Sequence, residues 1–101
     1  MTTAALVHIT GPGRSGPIVE LADTTTIGRA PDNDIVLDND TVSRCHAMLL
    51  MQPEGMFLVD LDSTNGTFVN DVLALPDEPV RLRDGDVVTI GSVALRYQAT
   101  S

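Results

Sequence analysis

The sequence predicts an all-β fold, a sandwich or barrel of short strands, and three observations carry that expectation. Short runs rich in Val, Ile, Leu and Thr alternate with turn signals from one end of the chain to the other. No segment of helical length carries an apolar stripe at the i, i+3, i+4, i+7 spacing. Glycine, proline, asparagine and aspartate break the chain at short intervals, with 8 glycines and 6 prolines among 101 residues.

In chain order, the first strands are predicted near Ala5–Thr10 and Pro17–Leu21. The glycine-rich stretch between them, from Thr10 to Pro17, reads as a mobile surface loop. Thr25–Gly28 and Ile35–Leu37 follow, separated by the turn signal Pro31-Asp32-Asn33-Asp34. After Asp38-Asn39-Asp40 come His46–Met51 and Met56–Leu61, joined across Pro53-Glu54-Gly55. Met56 to Asp60 is apolar at most positions, as a strand covered on both faces should be. Thr67–Val69 and Val72–Leu75 flank Asn70-Asp71, whose second residue tolerates a left-handed turn conformation and so permits a hairpin. Val80–Leu82, Asp86–Ile90 and Val93–Gln98 complete the set, with Asp84-Gly85 and Gly91-Ser92 as tight-turn dipeptides, because glycine accepts positive φ at little steric cost. In the last strand Val93, Leu95 and Tyr97 share one face, Ala94 and Arg96 the other.

The chain length supports one domain and not two. An apolar fraction of 43% supplies a core, built from aliphatic side chains because there are only two phenylalanines and one tyrosine. Residues 6–98 are expected to form the domain, with 1–5 a short flexible N-terminus and 99–101 a tail. The net charge of −8 argues against nucleic-acid binding, which needs a basic surface. No apolar run has the length to span a bilayer, and the first residues lack a signal-peptide pattern. A single cysteine cannot form an internal disulfide, which fits a reducing compartment. The expectation is a cytoplasmic monomer that binds neither nucleic acid nor membrane. Cys45 is expected to be a small buried apolar residue. It precedes His46, and neighbours on a strand face opposite ways, so the two cannot act as a nucleophile–base pair. The aspartate-rich turns lack the glycine and closing glutamate of a calcium loop, so no metal and no cofactor is expected, and no catalytic residue is identified.

Three segments carry chemistry of another kind: Gly28-Arg29 after a strand, Ser43-Arg44-Cys45-His46 before one, and Asp62-Ser63-Thr64-Asn65-Gly66-Thr67 between two. Each sets donors at a strand end. A phosphate carries about −1.5 to −2 charges and three acceptor oxygens near neutral pH, and its complement is one or two arginines with hydroxyl and amide donors. All six basic residues are arginine, whose planar fork suits that task.

The ordered set Ile27-Gly28-Arg29, Asn33-Asp34-Ile35, Val42-Ser43-Arg44-Cys45-His46-Ala47 and Leu61-Asp62-Ser63-Thr64-Asn65-Gly66-Thr67-Phe68-Val69-Asn70 resembles a forkhead-associated (FHA) domain. Leu82-Arg83-Asp84-Gly85-Asp86 and Ile90-Gly91 resemble the family's closing strands. No one motif is specific; four in the right order on an all-β background are. The resemblance implies an eleven-stranded β-sandwich that recognises phosphothreonine in extended segments, using loops at one end. Its partners would be Ser/Thr protein kinases or their phosphorylated substrates. By position, Arg29 would contact the phosphate or the peptide backbone, and Ser43 would hydrogen-bond the phosphate. Arg44, where the family varies, would add a donor. Thr64 would help hold the phosphothreonine and Asn65 grip the peptide main chain. Gly28, His46 and Gly66 fall on architectural positions, with His46 bracing the loops.

Other readings attach to the same residues. Arg29 and Arg44 could be solvated charges, and Ser43, Thr64 and Asn65 could serve only as turn residues. A scaffold that binds partners without phosphate is the alternative function, although it would not need a phosphate cradle. Asn70-Asp71 stands where many relatives have Asn-Gly. Some small bacterial members carry an N-terminal tail with a phosphorylatable threonine that folds into the site. Here Thr2 and Thr3 lie too near the first strand to reach it in the same molecule.

Overall fold

Alternation of apolar and polar side chains in the runs above produces a two-layer sandwich in the computed structural model, which describes residues 3–11 and 14–100. One sheet contains β1 (Thr3–Gly11), β2 (Arg14–Glu20), β7 (Thr67–Val69), β8 (Val72–Ala74), β10 (Val87–Ile90) and β11 (Val93–Thr100), in the order β2-β1-β11-β10-β7-β8. The other contains β3 (Thr24–Gly28), β4 (Ile35–Val36), β5 (Ala47–Gln52), β6 (Gly55–Asp60) and β9 (Val80–Arg81), in the order β4-β3-β5-β6-β9. β3 and β4 run parallel, and the other strand pairs are antiparallel.

The core lies between the sheets. Leu49 of β5 sits opposite Leu58 of β6, and both are fully buried. Ile27 of β3 lies in the same layer, and across from them Val88 of β10 sits opposite Leu95 of β11, with Ile90 and Leu6 beside them. Each such aliphatic side chain contributes about 1.5–3 kcal/mol by leaving water, which lets an aliphatic interior hold the fold with few aromatics. Along β11, Val93, Leu95 and Tyr97 are buried and Arg96 is exposed, as their alternation requires.

The glycine- and proline-rich stretch behaves differently from the expected loop. β1 runs on to Gly11 and β2 begins at Arg14, leaving only residues 12 and 13 between them, and those lie outside the described residues. Pro17 is tolerated inside β2 because β2 is an edge strand, where one row of amides has no strand partner. The pairing register shifts between Val7 and Ile9 and again between Ile9 and Gly11, which absorbs the irregular sequence. Thr3 pairs with Thr100, so the sheet extends past the expected start at Ala5; Thr2 lies outside the described residues.

The hairpin at Asn70-Asp71 forms with φ of 50° and 67°, a two-residue turn closed by Val69 and Val72. Gly91-Ser92 closes the β10–β11 hairpin, also in two residues, with positive φ at the glycine alone (60°).

Candidate functional site

Strand direction gathers the unusual loops at one end. β3 finishes at Gly28, and β5 starts beside it, with Ala47 opposite Ile27. β6 finishes with Asp60 opposite Ala47, and β7 starts with Thr67 opposite the last residue of β10, Ile90. The segments 29–34, 37–46, 61–66 and 91–92 therefore emerge together. They carry Arg29, Ser43, Arg44, Thr64 and Asn65, which lie far apart in sequence.

Gly28 and its neighbours weld the first two loops. A Cβ at Gly28 would collide with the Arg44 carbonyl oxygen and lie 2.7 Å from Asn33 Nδ2, so only glycine permits this approach. The Arg29 amide donates to the Ser43 carbonyl (2.9 Å) and the Ala30 amide to the Arg44 carbonyl (3.2 Å). Asn33 Nδ2 donates both to the Ala30 carbonyl (2.8 Å) and to the Arg44 carbonyl (2.7 Å). Arg29 itself is exposed, and its Nε donates to the Val42 carbonyl at 3.1 Å. That bond aims the guanidinium without using its two terminal nitrogens. Arg44 is also exposed.

His46 joins the second loop to the third from a fully buried position. The Ser43 amide donates to Nδ1 (2.9 Å), so the hydrogen resides on Nε2, which donates to the Gly66 carbonyl (2.9 Å). The ring thus fixes both the serine and the turn after Asn65. Gly66 has φ +86°, a conformation that disfavours a side chain.

Two more contacts complete the cluster. The Thr64 amide donates to Ser43 Oγ (3.0 Å), which leaves the serine hydroxyl hydrogen to donate elsewhere. Asn65 Nδ2 donates to the Thr41 carbonyl (2.8 Å) while the residue stays exposed, leaving Oδ1 and the second amide hydrogen outside that bond.

Several bracing residues had no distinct signal in the sequence. Asp60, 2% exposed, accepts hydrogen bonds from Ser63 Oγ (2.6 Å), the Ser63 amide (3.2 Å) and Thr67 Oγ1 (2.6 Å), pinning both ends of the 61–66 loop. Thr41 links its own loop to Asn39 and to Ser92 (2.9 Å between hydroxyls). Gly91 lets that hairpin approach, because a Cβ there would lie 2.5 Å from the Thr41 carbonyl. A polar residue ending an apolar run was the available hint for Asp60. Thr41 offered none. The aspartate-rich turns serve as local structure: Asp34 accepts from the Thr26 amide (2.9 Å), and Asn39 from the Thr41 amide (2.9 Å). A depression of about 390 Å³ lies beside the Thr41 network, with Asn39, Ser92 and Val36 on its walls.

Cys45 differs from expectation. It is exposed, because it sits in the loop before β5 begins at Ala47, where no strand packing turns it inward. Among the described residues, no helix is long and apolar enough to cross a membrane.

Residues 25–91 match the family model described as "FHA domain". The chain is 40% identical over 95 residues to the glycogen accumulation regulator GarA of Mycolicibacterium smegmatis, covering 94% of this chain and 58% of that protein. It is 44% identical over 94 residues to the ABC transporter ATP-binding/permease protein Rv1747 of Mycobacterium tuberculosis, covering 92% of this chain and 10% of that protein. The chain thus spans between a tenth and about six tenths of these relatives. A structure solved in a structural and functional analysis of phosphothreonine-dependent FHA domain interactions superposes with a TM-score of 0.81 at 31% identity, covering 95% of each chain.

Proposed function

The chain belongs to the FHA-domain family, and from that premise we propose that it reads phosphothreonine in extended protein segments as a non-enzymatic adaptor in Ser/Thr kinase signalling. The observation that carries the reading is the Ser43 hydroxyl. It accepts the Thr64 amide hydrogen, which leaves its own hydrogen free to donate, at the same end of the sandwich where Arg29 and Arg44 are exposed.

In this account Arg29, Arg44 and Ser43 surround the phosphate. Charge-assisted bonds of that kind are about twice as strong as neutral ones, so the phosphate rather than the peptide acts as the switch. Thr64 lies against the phosphothreonine, and Asn65 holds the peptide main chain with Oδ1 and its second amide hydrogen. Selectivity for threonine over serine comes from burying one methyl, about 0.8 kcal/mol. Residues beyond the phosphothreonine pass toward the depression beside Asn39 and Ser92. The protein acts in the cytoplasm as a monomer, and its partners are kinases of this class or their substrates. GarA bears the name of a regulator, which fits an adaptor role in place of catalysis.

Titration of the purified domain with a peptide set in unmodified, phosphoserine and phosphothreonine forms tests the proposal. Saturable binding confined to the phosphothreonine form, weakened at least about tenfold (about 1.4 kcal/mol) in Arg29→Ala and Ser43→Ala, is expected. Equal binding of all three forms by the folded domain would overturn it in favour of a phosphate-independent scaffold.

A further inference from the structure

We propose that edge strand β8 is a second docking surface, independent of phosphate, which takes an extended partner segment with an apolar centre and basic flanks as an added strand. β8 ends the six-stranded sheet, and its neighbours in order leave its outer side without a strand partner. Natural edge strands are ordinarily guarded by charge, proline or a covering element. Here the charges and the proline stand only at the ends, Asp71 before the strand and Pro76-Asp77-Glu78 after it, and between them Val72, Leu73 and Leu75 are 69%, 49% and 53% exposed.

The backbone supports the same assignment. Val69 and Val72 close a two-residue hairpin and exchange the narrow pair of hydrogen bonds. The alternation of an antiparallel ladder then turns the amide and carbonyl of Leu73 away from β7, toward the open side. Leu73 stands opposite Phe68, and its Cδ1 would lie 3.1 Å from a Cβ on Gly66. An added strand would therefore find a main-chain pairing site at Leu73 and a Phe68–Leu73 surface to cover, with exposed Leu75 just past the end of the strand.

Charge selects the occupant. Asp71 precedes the strand, Asp77 and Glu78 follow it, and all three are exposed. A segment with lysine or arginine at both ends meets these acids, and alternating apolar side chains between them cover the leucines. A second copy of the chain is a poor occupant, since it brings another net charge of −8 and sets acidic flanks against acidic flanks.

The test uses the ¹⁵N-labelled domain and a synthetic, N-acetylated probe of alternating valine and threonine with two lysines at each end. The expected result is saturable amide shifts centred on Val72–Leu75, with slowed hydrogen exchange at the Leu73 amide. Replacing the flanking lysines by glutamates should weaken binding at least tenfold. So should Leu73→Ser/Leu75→Ser, and separately Asp71→Asn/Glu78→Gln, two surface pairs that leave the core intact. Shifts confined to other strands, or equal affinity for both probes, would overturn the proposal. Concentration-dependent dimerisation abolished by Leu73→Ser/Leu75→Ser would overturn it in favour of self-pairing.

Discussion

The two ends of the sandwich are finished by different physics. At the end opposite the candidate site, connections are short and local. Asn70-Asp71 reverses the chain in two residues, and Pro53-Glu54 does so between Gln52 and Gly55. At the site end, three long loops are held by buried polar groups and by bonds between residues distant in sequence. His46 ties Ser43 to Gly66, Ser43 ties to Thr64, and Asn65 ties to Thr41. A local turn specifies only its own conformation. A cross-braced set of loops fixes several side chains relative to one another, which a phosphate cradle requires, because ordering them at the moment of binding would cost affinity.

The comparison can be broken most severely at His46. His46→Ala removes two bonds at a fully buried position and orphans the Ser43 amide and the Gly66 carbonyl. A loss of about 2–4 kcal/mol in urea denaturation is expected, together with loss of phosphopeptide binding. Ser43→Ala should separate function from stability: the group orphaned, the Thr64 amide, belongs to an exposed residue and can bond water. Stability should fall by under about 1 kcal/mol while affinity drops at least tenfold, read by denaturation and calorimetry on the same preparation. Asp71→Gly probes the other end. Asp71 already sits at φ 67°, so relief of strain and added unfolded-state freedom should nearly cancel, within about 1 kcal/mol, and phosphopeptide affinity should not change.

Alkaline pH gives the smallest effect. Desolvation by burial, with Asp84 nearby, raises the Tyr97 phenol above its ordinary value of 10.0. The folded state therefore resists ionisation more than the unfolded chain does. The resulting stability is complete below about pH 10 and is lost as pH rises through the folded value. Urea midpoints should decline above that pH, and less so in Tyr97→Phe; the chain contains no lysine to titrate in the same range.

The same contrast explains what the sequence made legible. Local turns are written in adjacent residues, so Asn70-Asp71 at the far end and Gly91-Ser92 at the site end could be read as turns and the strand runs beside them located. The long loops could be found by their motifs, and the structure gathers Arg29, Ser43, Arg44, Thr64 and Asn65 at one end. Their bracing was not legible, because nothing near Asp60 in sequence marks Ser63 and Thr67 as its partners, and nothing near Thr41 marks Ser92. For Cys45 residue type suggests burial, whereas its place in the loop before β5 leaves it exposed. The stretch from Thr10 to Pro17 reads as a loop in sequence, because the edge location of β2 depends on the topology of the whole sheet.

The most direct test of the central claim is an NMR titration of the labelled domain with one phosphothreonine peptide and its unmodified twin. The account predicts that the phosphorylated form alone shifts the Arg29 Nε–H, the Ser43 and Thr64 amides and the Asn65 side-chain amide together, at one common affinity. Equal shifts from the unmodified peptide, or shifts that leave these four groups untouched, would contradict it.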